Sequence, residues 1–208
     1  MIITFPKPKR RFSPQWESVI NRGKACALAE SQPHRAFDLA RTIPDGWYRC
    51  QAMAQIAQAA PPDRSEQAFR EARRAAAQSF DNYQRAGVLA FVITAAFTRG
   101  RNGLVSDILA DALAIIPSVE PMASRAYALN LLWSTIAYHG DGKLRGRVIA
   151  QMQEHIHPDR SWRARRLYRE ITDWLAERDP RKADAVIAAM PLGKSRGYLE
   201  RRTGGIAS

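Results

Sequence analysis

The chain has 208 residues, 46% of them apolar and 25% charged, with a formal net charge of +12. That length buries a real core and fits one compact domain or one short solenoid, and the composition is globular rather than disordered. Alanine is abundant, and β-branched or aromatic runs with period-two alternation are nearly absent, which directs the reading towards helix and away from sheet.

The charge is uneven. Residues 1–24 carry a net +5, residues 25–142 a net of zero and residues 143–208 a net +7. Basic surface attracts nucleic acid, anionic membrane or acidic proteins, and composition does not choose among them. Arginine outnumbers lysine 26 to 6, a bias that a G/C-rich genome also produces. The start, Met1-Ile-Ile-Thr-Phe-Pro, has no apolar core segment and no small-residue cleavage site, and no stretch approaches a membrane span. Cys26 and Cys50 form no C-x-x-C pair and read as reduced, buried thiols. Together these features point to the cytoplasm.

In chain order, residues 1–12 read as a mobile basic arm, with Pro6 and Pro8 among Lys7, Lys9, Arg10 and Arg11. Residues 13–202 read as one helical domain and 203–208 as a frayed tail. Residues 14–30 predict an unpaired leading helix, with Ser13 as N-cap and Pro14 at its first position. A pattern then recurs: residues at i, i+3, i+4 and i+7, mostly apolar, a helix stop, and an arginine further on. It reads Ala36, Leu39, Ala40, Ile43, Pro44, Arg49, then Ala72, Ala75, Ala76, Ser79, Phe80, Arg85. It returns as Leu109, Ala112, Leu113, Ile116, Pro117, Arg125, with three extra loop residues, and ends a fourth time at Pro158 and Arg163. The fifth copy is Ala183, Val186, Ile187, Met190, Pro191, Arg196, and the stops lie 36, 37, 41 and 33 residues apart.

That period predicts helix–turn–helix units. The i, i+3, i+4, i+7 spacing puts the apolar residues on one helical face, and proline closes the helix. Asp45, Asp81 and Asp159 open the second helices, each four residues before Arg49, Arg85 or Arg163, the favourable order for an ion pair. The second helices continue as stripes: Ala52, Ile56, Ala57; Val88, Val92, Ala95, Ala96; Leu129, Leu132, Trp133, Ile136; and Leu167, Ile171, Trp174, Leu175. Breaks at Pro33, Pro61-Pro62, Gly100–Gly103, Gly140–Gly142 and Asp179-Pro180 separate the units.

Period, helix–Pro–helix layout and small packing residues over about residues 14–200 resemble the tetratricopeptide-like and HEAT-like repeat proteins. The resemblance implies an all-α, right-handed α-α superhelix, or solenoid, of about five helical hairpins, whose concave face binds a peptide or protein.

Candidate chemistry is sparse. Gly193-Lys194-Ser195 ends like a phosphate loop, but the earlier glycine is replaced by Ala188 and the preceding residues read as helix. His155 and His157 sit about 200° apart on a helix, and His34 and His139 are isolated, so no metal or cofactor is expected. Asp107 and Asp111 read as a solvated face rather than half of a carboxylate dyad. Trp16, Trp47, Trp133 and Trp174 read as core or inter-unit contacts.

The richest segment is 160–169. Ala164, Leu167 and Ile171 claim the core side, leaving Arg160, Trp162, Arg165, Arg166 and Arg169 as a basic stripe with an aromatic beside it. Guanidiniums at helical spacing track phosphates, and an indole stacks on a base. Arg201, Arg202 and Lys7 to Arg11 extend such a surface if the ends curl together. The leading expectation is a non-enzymatic scaffold for another protein, and the alternative is a nucleic-acid binder using these basic ends.

Overall fold

The structure is a computed structural model and describes residues 14–203. The expected arm at residues 1–12, the expected cap Ser13 and residues 204–208 lie outside the described residues. Eleven α-helices and two single-turn helices form among the described residues, and no strand. The α-helices are α1 (Pro14–Leu28), α2 (Pro33–Arg41), α3 (Gly46–Ala59), α4 (Pro62–Ala77), α5 (Asn82–Thr98), α6 (Asn102–Ile115), α7 (Met122–His139), α8 (Gly142–His155), α9 (Trp162–Ala176), α10 (Pro180–Ala188) and α11 (Lys194–Thr203). Single turns, Ile116–Ser118 and Pro158–Arg160, precede α7 and α9. Helix α11 runs one residue into the stretch read as tail.

The odd-numbered helices pack in succession, α1 on α3, α3 on α5, α5 on α7, α7 on α9 and α11 on α9, while the even-numbered helices meet one another sparingly. The leading helix is not unpaired: α1 packs on both α2 and α3. The most extensive contact is α3 with α4, followed by α5 with α6, so the breaks read as unit boundaries are the tight hairpin turns. The reason is loop length. Ala60-Pro61 and Gly140-Asp141 are two-residue connections, which force antiparallel neighbours, whereas the proline stops open into connections of four to six residues.

The apolar stripes form the core. Ile56, Val88, Val92, Leu129, Leu132, Ile136, Leu167 and Ile171 are all inaccessible to solvent, as are Ala36, Ala40, Ala72 and Ala112 on the even helices. Phe80, in the slot of a proline stop, is 89% exposed, and Pro44, Pro117 and Pro191 in the same slot are exposed too.

Caps set the helix starts. Asp45, Asp81, Asp141 and Asp179 accept from the backbone amides of Trp47, Gln84, Leu144 and Lys182 at 2.9, 2.7, 2.8 and 3.2 Å. The expected ion pairs Asp45–Arg49, Asp81–Arg85 and Asp159–Arg163 do not form. The arginines instead close the end of the preceding helix. Arg49 donates to the Ile43 carbonyl at 2.9 Å, Arg85 to Ser79 at 3.1 Å, Arg125 to Val119 at 3.1 Å and Arg196 to Met190 at 3.4 Å, each six residues back. A helix leaves its last carbonyls without partners, and a guanidinium on the next helix satisfies them while facing the negative end of the dipole. With the aspartate engaged as a cap, the carbonyls are the better acceptors within reach.

Candidate functional site: a basic, aromatic groove between α9 and α11

Helix α9 starts where Ser161 caps it, its hydroxyl accepting from the Ala164 amide at 3.0 Å. Burial of Ala164, Leu167, Tyr168, Ile171, Thr172 and Leu175 orients the helix. Tyr168, absent from the expected stripe, is 1% exposed, and its hydroxyl donates to the Ile156 carbonyl at 3.2 Å. Burial pushes its phenol up to about 12. The opposite face carries Trp162, Arg165, Arg166 and Arg169, and these line a groove of about 730 Å³ whose other wall is α11.

Helix α11 is docked from its N-terminal end. Asp159 was expected to open α9 and pair with Arg163. It lies instead in the turn before α9 and accepts from the Ser195 amide at 2.9 Å and from the Ser195 hydroxyl, so it caps α11. The approach is close: a Cβ on Gly193 would meet the Asp159 Oδ2 at 2.1 Å. Gly193 and Ser195 thus serve helix docking, which accounts for the fragment that looks like a phosphate loop. The Ser195 hydroxyl, the Ser195 amide, His157 and Arg165 hold the Asp159 carboxyl below its ordinary value. A carboxyl lowered on folding stabilises above the ordinary Asp range and loses that contribution as pH falls through the folded value. The protection of the Ser195 amide, measured relative to its intrinsic exchange rate, should therefore hold at neutral and mildly acidic pH and fall only below the ordinary Asp range. In Asp159→Ala it should be low at every pH.

At the far end of α11, Arg202 holds both oxygens of Asp173 on α9, at 2.7 and 3.1 Å. Between the two anchors, Leu199 is buried and Tyr198 is 47% exposed. The groove brings Trp162, 59% exposed, and Tyr198 together with Arg165, Arg166, Arg169 and Lys194. Arg166 is bonded to Glu170 at 2.5 Å. The side chains of Arg165, Arg169 and Lys194 form no hydrogen bond or ion pair among the described residues.

Arg165 explains itself by position. It stands four residues after the cap Ser161, as Arg49 and Arg85 stand after Asp45 and Asp81, so it and not Arg163 is the counterpart in α9. The residue six back is Asp159, inside a tight turn with its side chain engaged by α11. Arg165 therefore has no helix end to close and faces the groove. Arg163 lies over the rings of Tyr127 and Trp162, 5.5 and 5.4 Å from their centroids. It continues a line of stacked rings, Trp47 on Tyr83 at 6.0 Å and Tyr83 on Tyr127 at 5.9 Å.

Of the expected binding residues, the structure gathers Trp162, Arg165, Arg166 and Arg169. Arg160 and Arg201 are exposed but outside the groove lining, and Arg202 is an anchor. Lys7, Lys9, Arg10 and Arg11 lie outside the described residues, and α1, which follows them, stands at the opposite end of the helix row from α11. Lys194, Tyr198 and Leu199 were not anticipated. Their signal was Lys194 and Tyr198 at i,i+4 on one short helix.

On the α7 side of α9 lies a smaller pocket of about 310 Å³, lined by Trp133, Tyr138 and Trp174 beside Arg178 and three carboxylates, Glu170, Asp173 and Glu177, each paired with an arginine. Trp133 is core, at 3% exposed, and packs edge-on against Trp174 at 5.6 Å. Trp174 is held between the guanidiniums of Arg145 and Arg178, each 4.8 Å from its centroid. Trp16, expected as a packing residue, is half exposed. Asp111 accepts from Arg73 of α4 at 2.5 Å, a surface contact between helices.

Among the described residues no group of His, Cys, Asp and Glu is placed to hold a metal ion, and no helix is long and apolar enough to cross a membrane. Compared with known proteins, the chain matches no family model, no curated protein and no solved structure.

Proposed function

We propose that the chain is a non-enzymatic, cytoplasmic scaffold, a right-handed solenoid of helical hairpins of the tetratricopeptide-like or HEAT-like kind, and that it receives another protein in the groove between α9 and α11. The observation that carries this reading is the pairing of two exposed rings, Trp162 and Tyr198, with three cations whose side chains make no internal hydrogen bond or ion pair, Arg165, Arg169 and Lys194. Exposed aromatics beside arginine are the side chains that anchor protein interfaces. The distribution of charge supports a local docking site over a nucleic-acid track, since the helices at the two basic ends of the chain stand at opposite ends of the row.

Nucleic acid is the second reading, favoured by the same rings and cations. A photo-crosslinking phenylalanine analogue at position 198 separates the two. The scaffold reading expects a protein adduct in cells that disappears in Arg165→Glu/Arg169→Glu. It expects no adduct from the same analogue at Phe80, exposed but remote from the groove lining. A nucleic-acid adduct at 198, with steep loss of oligonucleotide affinity on adding salt, would sink it.

A further inference from the structure

Taking the groove as the docking site, we propose that its occupant is a short acidic segment of a partner protein with an aromatic side chain set among its carboxylates. At about 730 Å³ the groove is the size of a small-ligand site, so it admits a side chain with its neighbouring backbone and not a folded surface. Its chemistry has two parts. Trp162 and Tyr198, on facing helices, offer ring surface to a flat apolar group, with the buried edge of Leu199 beneath. Around them Arg165, Arg169 and Lys194 offer donors that no carboxylate of the described chain takes, while the one acid of the lining, Glu170, is held by Arg166. Carboxylates are the complement, and arginine binds them as a fork. The amide at the start of α11 does not compete for the anion, because Asp159 already occupies it.

The surroundings favour a peptide over a phosphodiester strand. A strand carries a charge on every nucleotide and needs a row of free cations, whereas one leaving the groove towards α7 meets Glu170, Asp173 and Glu177 already paired with Arg166, Arg202 and Arg178. A peptide places its charges by sequence and crosses the same ground with neutral residues.

The test is selection of a random peptide library displayed on phage against the full-length chain. Expected are sequences enriched in Asp and Glu flanking a Phe, Tyr or Trp. Their binding should fall about tenfold or more against Arg165→Glu/Arg169→Glu and against the single variant Lys194→Glu. Trp162→Ala should lose the aromatic preference and keep the acidic one, and Tyr138→Ala, outside the groove, should change neither. Acidic sequences with no aromatic preference would overturn this inference and leave the groove reading intact. Enrichment indifferent to both charge variants would overturn the groove reading as well. Displacement of the selected peptides by oligothymidine at physiological salt, lost in the same variants, would replace the peptide with nucleic acid.

Discussion

Gly46→Ala should destabilise the protein by about 3 kcal/mol, although it adds one methyl group at the first position of a helix. The new Cβ would sit 2.6 Å from the Ala75 carbonyl oxygen, 2.8 Å from the Gln78 carbonyl carbon and 2.8 Å from the Ser79 amide nitrogen. All three are backbone atoms in the last turn of α4 and just beyond it, so no side chain can rotate to make room. Relief requires α3 to move off α4, the most extensive helix contact in the molecule. Urea unfolding measures the loss as a lower midpoint with unchanged slope. Gly23→Ala is the control: a Cβ there meets nothing within 4 Å in the middle of α1, and replacing an exposed helical glycine should stabilise by somewhat under about 1 kcal/mol. Equal effects at the two sites would refute the close approach.

Arg125→Ala should cost about 2 kcal/mol, a large loss for a charged residue outside the core. Its guanidinium donates to the carbonyls of Pro117 at 2.9 Å, Val119 at 3.1 Å and His155 at 3.4 Å, joining the end of α6 to the end of α8. The side chain is 13% exposed, so truncation leaves several half-buried oxygens without donors. The ion pair with Glu120 at 2.9 Å contributes little by comparison, since that carboxylate is 75% exposed. Thermal denaturation of Arg125→Ala and Glu120→Ala separates the two roles. A glutamate variant as damaging as the arginine variant would assign the stability to charge pairing and not to the carbonyls. Arg125→Lys should recover only part of the loss, because an ammonium cannot reach carbonyls on two helices with one planar fork.

The helices and their buried faces were legible because periodicity is a local property, and Ala36, Ile56, Val92 and Leu132 each sit where their spacing puts them. The pairing of helices was not. Punctuation such as Pro61-Pro62 or Gly140 reads equally as a boundary between units or as the turn within one, and loop length with tertiary contact decides. The repeated arginines were read as architectural, and Arg49, Arg85, Arg125 and Arg196 do bond within the fold, but the partners were misassigned. An aspartate four residues away is visible in sequence, whereas a carbonyl has no letter of its own. The α9 half of the groove followed from amphipathic spacing at 162–169. The α11 half did not, because it depends on Asp159 reaching a serine 36 residues ahead, a contact with no local signature. Trp16 lies half exposed where its apolar character suggested packing.

Helix α11 is one whole wall of the groove, yet among the described residues its main contacts are with α9, α10 and the turn at Pro158–Arg160. Its hold is concentrated in the Asp159 cap, the Arg202–Asp173 clasp and the buried Leu199. Wall and occupant are therefore thermodynamically linked: a ligand that needs both walls binds only the docked population, and its apparent affinity scales with that fraction. A change at Asp159, Gly193 or Asp173 would act as an affinity mutation without touching the ligand, and an occupant would in turn hold α11 in place.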